Sequence, residues 1–298
     1  MIALLLTMML YTTPSYSVAV EKDVPYATAE GYWTEAPVDD RKAAMSLLMH
    51  PGAPKPVTLE MDIYTPVGDD SASTRPLLLM MHGGSFFVGH KDEPGQKGWC
   101  EYFASLGYVA VSIDYRLGFR ANRKDVLEAE LRALEDADSA MSYLFGRDDL
   151  RIDPDRIFLA GTSAGAMTAM RMAFRENPPY RVRAVANLWG AVHDLSVLES
   201  ARVPILSFQS TDDPVMPYDA GYPLGPAGRL FSEYLYGTNA IHVKARSLGI
   251  RSEHHPCPER RHRLHLDDEM QYTPRFYEIR DAMAAFFGAY LIQEPECP

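Results

Sequence analysis

The sequence predicts an α/β fold: a mostly parallel central sheet with helices on both faces. Three observations carry this expectation. Short apolar runs alternate with amphipathic stretches along most of the 298 residues, the order that packs helices over a parallel sheet. Several of those runs, such as Pro76-Leu77-Leu78-Leu79-Met80-Met81 and Gly107 to Asp114, are continuously apolar, as strands buried on both faces are. A third run, Arg156 to Ala160, leads straight into Gly161-Thr162-Ser163-Ala164-Gly165 and then a stretch of small and apolar residues reaching Arg175. A strand-to-helix turn this tight strains the backbone at the serine, and glycines two positions either side remove the side chains that would collide.

Composition narrows the function classes. Apolar residues make up 47% and charged residues 23%, ordinary for a globular chain. The 29 basic against 40 acidic residues leave a net charge of -11, which speaks against nucleic-acid binding. Three cysteines, Cys100, Cys257 and Cys297, are too few and scattered for a disulfide framework or a zinc site. If the chain meets an oxidising compartment, Cys257 with Cys297 is the pair to test. No repeat or low-complexity tract is visible.

The first residues, Ile2 to Leu10, form an apolar run too short to span a bilayer. Small residues follow at Ser15-Tyr16-Ser17, so residues 1–17 read as a signal peptide, although no Lys or Arg precedes the run. This predicts a secreted or periplasmic protein with no stable membrane anchor. Residues 18–55 read as a polar N-terminal leader, and 56–298 as the α/β domain. The domain opens on Pro56 to Tyr64, whose alternation is that of a half-buried strand near a sheet edge. After the strand at 76–81 come a helix at Trp99 to Leu106, the strand from Gly107, and an amphipathic helix marked by Leu127, Leu131, Leu134, Met141 and Phe145. Beyond the serine lie strands at Ala184 to Trp189 and Pro204 to Phe208, a largely helical segment from Gly228 to Gly249, a polar strand at Ser252 to Pro258, and a final helix at Asp281 to Tyr290.

Ser163 is the candidate nucleophile, with the amide of Ala164 among the helix N-terminal donors aimed where an oxyanion would form. A serine hydroxyl needs a base, and the base needs a carboxylate to fix its tautomer. Asp212 and Asp213, just past the strand ending at Phe208, sit where a parallel sheet gathers its functional groups, and the local residues do not separate them. Beyond them His254, His255, His262 and His265 crowd the stretch before the last helix, while His242 falls in a helical segment. Pro256 and Pro258 break any regular metal-ligand geometry among these histidines, and no metal or cofactor is expected. His82-Gly83-Gly84-Ser85 follows an early strand, where amides can turn inward unobstructed.

With these residues assembled, the chain resembles the α/β-hydrolase carboxylesterases, particularly the bacterial secreted esterase/lipase branch related to acetyl-xylan and feruloyl esterases. The resemblance covers about residues 56 to 292. It rests on His82-Gly83-Gly84-Ser85-Phe86, Asp114-Tyr115-Arg116-Leu117, Gly161-Thr162-Ser163-Ala164-Gly165 and Asp213-Pro214-Val215-Met216-Pro217. It implies the α/β-hydrolase fold and a Ser163–Asp213–His262 triad working through an acyl-enzyme. It also implies oxyanion donors at the amides of Gly84, Ser85 and Ala164, and a structural role for Asp114 to Arg116. The acid loop has Met216 where the family has Val. Where the family has Gly-x-Gly-His before the base, this chain has Glu259-Arg260-Arg261-His262; His262 matches best by position and His265 second. The implied substrate is a carboxylic ester, small or borne on a polysaccharide. An amidase or peptidase using the same triad, and a binding protein on an inactive hydrolase fold, are the alternatives.

Overall fold

A computed structural model describes residues 13–33, 46, 52–68, 74–230 and 232–292. Eight strands form one sheet in the order β1-β2-β4-β3-β5-β6-β7-β10. They are β1 (Ser17–Gly31), β2 (Lys55–Val67), β3 (Arg75–Met81), β4 (Val109–Ile113), β5 (Ile152–Thr162), β6 (Val182–Leu188), β7 (Ile205–Ser210) and β10 (Ser252–Cys257). β1 and β2 run antiparallel to their neighbours, and all other pairings are parallel. A two-stranded ribbon, β8 (Ala220–Gly221) with β9 (Leu235–Tyr236), stands apart.

The period-two geometry of the strands divides the core into two layers. Leu77, Leu79 and Met81 of β3 face one layer, with α2 (Arg123–Phe145), α3 (Ala164–Ala173) and α4 (Thr238–Ser247) packed over it. Leu78 and Met80 face the other, under α1 (Pro94–Ser105) and α5 (Pro274–Ile292), whose Trp99, Phe103, Phe276 and Phe287 fill it. Every residue of β3 is buried, as its unbroken apolar run predicts. No helix among the described residues is long and apolar enough to cross a membrane.

Two expectations need correction. The stretch read as a polar leader from residue 18 is the 15-residue edge strand β1, registered on β2 from Ser17↔Val67 to Gly31↔Lys55. Its exposed outer residues hid the pattern, and its inward Tyr26 reaches across to the Asp114 carbonyl. The sheet therefore begins at Ser17 and not at 56. Within Gly228 to Gly249 only α4 is an α-helix; the glycine-rich part before it makes a 3-10 turn, Gly225–Leu230, and β9. The proposed partner of Cys257, Cys297, and the whole apolar N-terminal run lie outside the described residues.

Buried Lys91 locks the β1 edge. Its ammonium lies 2.5 Å from Asp23 of β1 and 2.9 Å from the fully buried Asp62 of β2. Its own amide donates to Asp114 at 2.7 Å. Despite burial, which lowers an ammonium's pKa, these carboxylates hold the Lys91 pKa well above the ordinary value.

Candidate active site

The strands that matter end on one edge of the sheet. β5 runs into Ser163, whose φ of 50° and ψ of -115° lie in a region costly for any residue with a side chain. Close packing holds it there. A Cβ on Gly165 would fall 2.2 Å from the Met81 carbonyl oxygen, and one on Gly161 would fall 2.3 Å from the Gly165 backbone. The Ser163 amide donates to the Leu188 carbonyl of β6, and its carbonyl accepts from the Met167 amide of α3. The serine is only 6% exposed.

β7 and β10 deliver its partners. Cys257 at the end of β10 stands in register with Ser210 at the end of β7, so the loops that follow emerge side by side. The Ser210 hydroxyl donates to the Glu259 carbonyl and ties these loops together. In consequence His262 Nε2 lies 2.9 Å from Ser163 Oγ, and His262 Nδ1 lies 2.9 Å from Asp213 Oδ2. Asp213 is fully buried, and its Oδ1 accepts from the amides of Val215 and Met216 at 2.8 and 3.1 Å. Asp212 points away into an exposed 3.6 Å ion pair with Arg260. The choice left open between the two aspartates thus has a geometric answer.

Gln209 at the end of β7, which the sequence reading passed over, supports the acid loop from below. Its side-chain amide nitrogen lies 3.3 Å from Asp213 Oδ2, 3.1 Å from the Met216 carbonyl and 3.2 Å from the Pro217 carbonyl. Its oxygen accepts from the Thr238 amide and hydroxyl at 3.2 and 2.8 Å. Because the Thr238 hydroxyl donates there, it can accept from His254 Nε2, 3.2 Å away. Two lines of hydrogen bonds therefore converge on the Asp213 carboxylate as acceptor, one from β10 through Thr238 and Gln209 beneath the loop and one from Ser163 through His262.

His265 sits elsewhere. It is 1% exposed, stacked between Trp99 at 4.8 Å and Trp189 at 5.2 Å; among the described residues neither ring nitrogen has a hydrogen-bond partner, and Nε2 lies 4.0 Å from the Glu93 carboxylate. Burial, with smaller contributions from Arg263 and His262, pushes its pKa down to about 3. His254 and His255 lie within β10, stacked on Tyr218 and Phe208. His242 lies in α4, 2.9 Å from the Ser252 hydroxyl.

The glycine turn after β3 completes the site. Gly84, Ser85 and Phe86 all have positive φ, and a Cβ on Gly83 would lie 3.3 Å from the Ser163 Cβ. Among the described residues, the amides of Gly84, Ser85 and Ala164 donate to no backbone or side-chain acceptor. The turn is held by buried His82, whose Nδ1 lies 2.6 Å from the Gly83 carbonyl and whose ring stacks on Tyr115 at 4.2 Å. Burial drives His82 down to about 4, so the ring is neutral near pH 7. Beside it burial raises Asp114 to about 6. Arg116 Nε lies 2.7 and 3.0 Å from the two carboxylate oxygens of buried Asp136, which anchors the segment that follows β4 to α2.

Solved structures share this arrangement of strands and helices. Esterase 2 of Thermogutta terrifontis phosphorylated by paraoxon superposes with a TM-score of 0.59 over 79% of this chain and 90% of its own, at 21% identity. The chain has the α/β-hydrolase fold. Residues 61–188, from β2 to the end of β6, match the family described as BD-FAE. The putative esterase NocK of Nocardia uniformis subsp. tsuyamanensis is 30% identical over 230 residues, covering 72% of this chain and 59% of NocK. The non-reducing polyketide synthase pkbA of Emericella nidulans is 34% identical over 142 residues, 45% of this chain. This α/β-hydrolase chain thus spans 5% of the length of that synthase.

Proposed function

We propose that the chain hydrolyses carboxylic esters through Ser163, His262 and Asp213. The observation that carries this reading is the hydrogen-bonded line from Ser163 Oγ through both ring nitrogens of His262 to Asp213. His262 Nε2 takes the serine proton as Oγ attacks the acyl carbonyl, while Asp213 accepts from Nδ1–H and stabilises the imidazolium. The carbonyl oxygen gains negative charge and is met by the amides of Gly84, Ser85 and Ala164. The imidazolium then gives its proton to the departing alcohol oxygen, leaving an acyl-enzyme on Ser163. Water repeats the sequence, with His262 again as base, and releases the acid.

The BD-FAE match, a family of acetyl-xylan and feruloyl esterases, supports an acyl group esterified to a small alcohol or a polysaccharide. The reading includes export, supported by the apolar run ahead of the first strand. A panel of p-nitrophenyl esters, acetylated xylan and peptide amides tests the reaction class. A fluorophosphonate probe should label the protein at Ser163. Ser163→Ala should abolish labelling and lower ester turnover by about 10⁴- to 10⁶-fold. Undiminished hydrolysis by the alanine variant would remove the reading.

A further inference from the structure

A cavity of about 850 Å³ runs along the outer side of α3. Phe86, beside the oxyanion turn, Met167, one turn beyond Ser163, and Ala191 line the end nearest the nucleophile. Apolar side chains such as Leu127, Met170 and Val192 share the walls with polar ones, Glu176, Asp194 and Glu199 among them, and one of the carboxylates, Glu130 of α2, is buried. Its Oε2 lies 2.6 Å from His193 Nε2 and 3.9 Å from the Arg171 guanidinium. The His193 ring orients the carboxylate, and the Arg171 guanidinium lies beside it. Its Oε1 has no hydrogen-bond partner among the described residues, yet it is not sealed from solvent as the buried unpaired atoms are.

We propose that this cavity receives the acyl group and that Glu130 selects acyl groups carrying a hydroxyl several bonds from the ester carbonyl. The proposal rests on the esterase reading above. An ionised carboxylate only accepts hydrogen bonds, so the group it meets must be a donor. With the His193 ring on Oε2 and the Arg171 guanidinium nearby, an ammonium gains less there than at an unpartnered carboxylate, whereas a neutral hydroxyl on an apolar chain suits both the free oxygen and the apolar side chains. A plain alkyl chain would cover Oε1 and take away its water without replacing that hydrogen bond. A pocket that must bond a hydroxyl discriminates against ligands lacking one far better than an apolar pocket discriminates by size.

The helix sets the reach. Arg171 lies two turns beyond Ser163, about 12 Å along the axis, and helical side chains lean back toward the N-terminus. That lean shortens the reach from the serine end to the guanidinium and to Glu130 beside it, so acyl chains of two lengths are used to find the span.

The experiment compares matched substrates: p-nitrophenyl hexanoate with 6-hydroxyhexanoate, and octanoate with 8-hydroxyoctanoate. For at least one pair, the wild-type kcat/KM should favour the hydroxylated ester by about tenfold or more, the value of a hydrogen bond to a charged group. In Glu130→Leu the preference should reverse, and in the isosteric Glu130→Gln it should shrink. Taking the ratio within each variant cancels general losses of activity, and the Gln variant decides the matter if the Leu variant does not fold. A wild-type ratio near one for both pairs, or a ratio unchanged in the variants, overturns the proposal. Wild-type hydrolysis of p-nitrophenyl acetate separates the two readings: if that ester is also untouched, the esterase reading itself has failed.

Discussion

His265→Ala separates a packed histidine from the proposed base, His262, three residues away. The imidazole removed is 1% exposed and lies between two tryptophan rings. Losing it leaves a cavity that costs about 2 to 4 kcal/mol by the measure of other core truncations. Against that, the variant no longer buries two ring nitrogens without partners, which returns about 1 to 2 kcal/mol. The net deficit near pH 7 should be about 0 to 3 kcal/mol, centred on about 1.5. Acid should narrow it. The folded-state pKa is lowered to about 3 from an ordinary 6.5, so below 6.5 the unfolded chain binds a proton that the folded chain refuses. Wild-type stability is therefore complete above pH 6.5 and falls by up to about 1.4 kcal/mol per pH unit as the pH drops toward the folded value. The alanine variant lacks this loss, so its deficit should nearly vanish close to pH 5. Denaturant unfolding of both proteins between pH 4.5 and 8, with ester turnover normalised to the folded fraction, measures both effects. Turnover per folded molecule should stay substantial in His265→Ala and near background in a folded His262→Ala. A deficit independent of pH would refute the buried, neutral ring. A folded but inactive His265→Ala would move the base three residues along the chain.

Asp213→Asn should lower turnover by about 10⁴-fold, because the amide favours the wrong imidazole tautomer while the geometry survives. Asp212→Asn, which loses only an exposed ion pair, should change turnover and stability little; the reverse ranking would contradict the hydrogen bonding seen here. Gln209→Leu strips donors from Asp213 and two loop carbonyls and an acceptor from Thr238, so it should cost about 2 to 4 kcal/mol of stability. Its folded fraction should also lose about tenfold or more in kcat, a loss set by misplacement of the acid loop. Normal kcat in the folded fraction would reduce Gln209 to a packing residue.

What could be read from the sequence was what a short stretch records by itself. The elbow at Ser163 needs its glycines within two residues, so the pattern carries its own structural context. The acid loop needed more, since both aspartates suit a turn, and only the amides of Val215 and Met216 distinguish them. His262 follows a strand whose polarity obscured it. That polarity is the mark of the sheet edge, where β10 pairs with β7 alone and its histidines stack on neighbouring rings. β1 was taken for a leader because half of an edge strand meets solvent and reads as polar. Gln209 and Glu130 left no local signal. Their roles come from partners far away in sequence, such as Thr238 for Gln209 and His193 for Glu130.

The position of β10 also determines when the chemistry can begin. It is the last strand in the chain and the outermost on its side of the sheet, and the loop it feeds is the one that brings His262 to Ser163. A ribosome that has released the chain through β7 and the loop after it has delivered Ser163 and Asp213 but not His262. Regained ester cleavage in a refolding experiment thus reports the docking of one peripheral strand. Far-ultraviolet circular dichroism, dominated by the inner strands and five helices, should recover first, and the delay between the two signals would clock the closing of that edge.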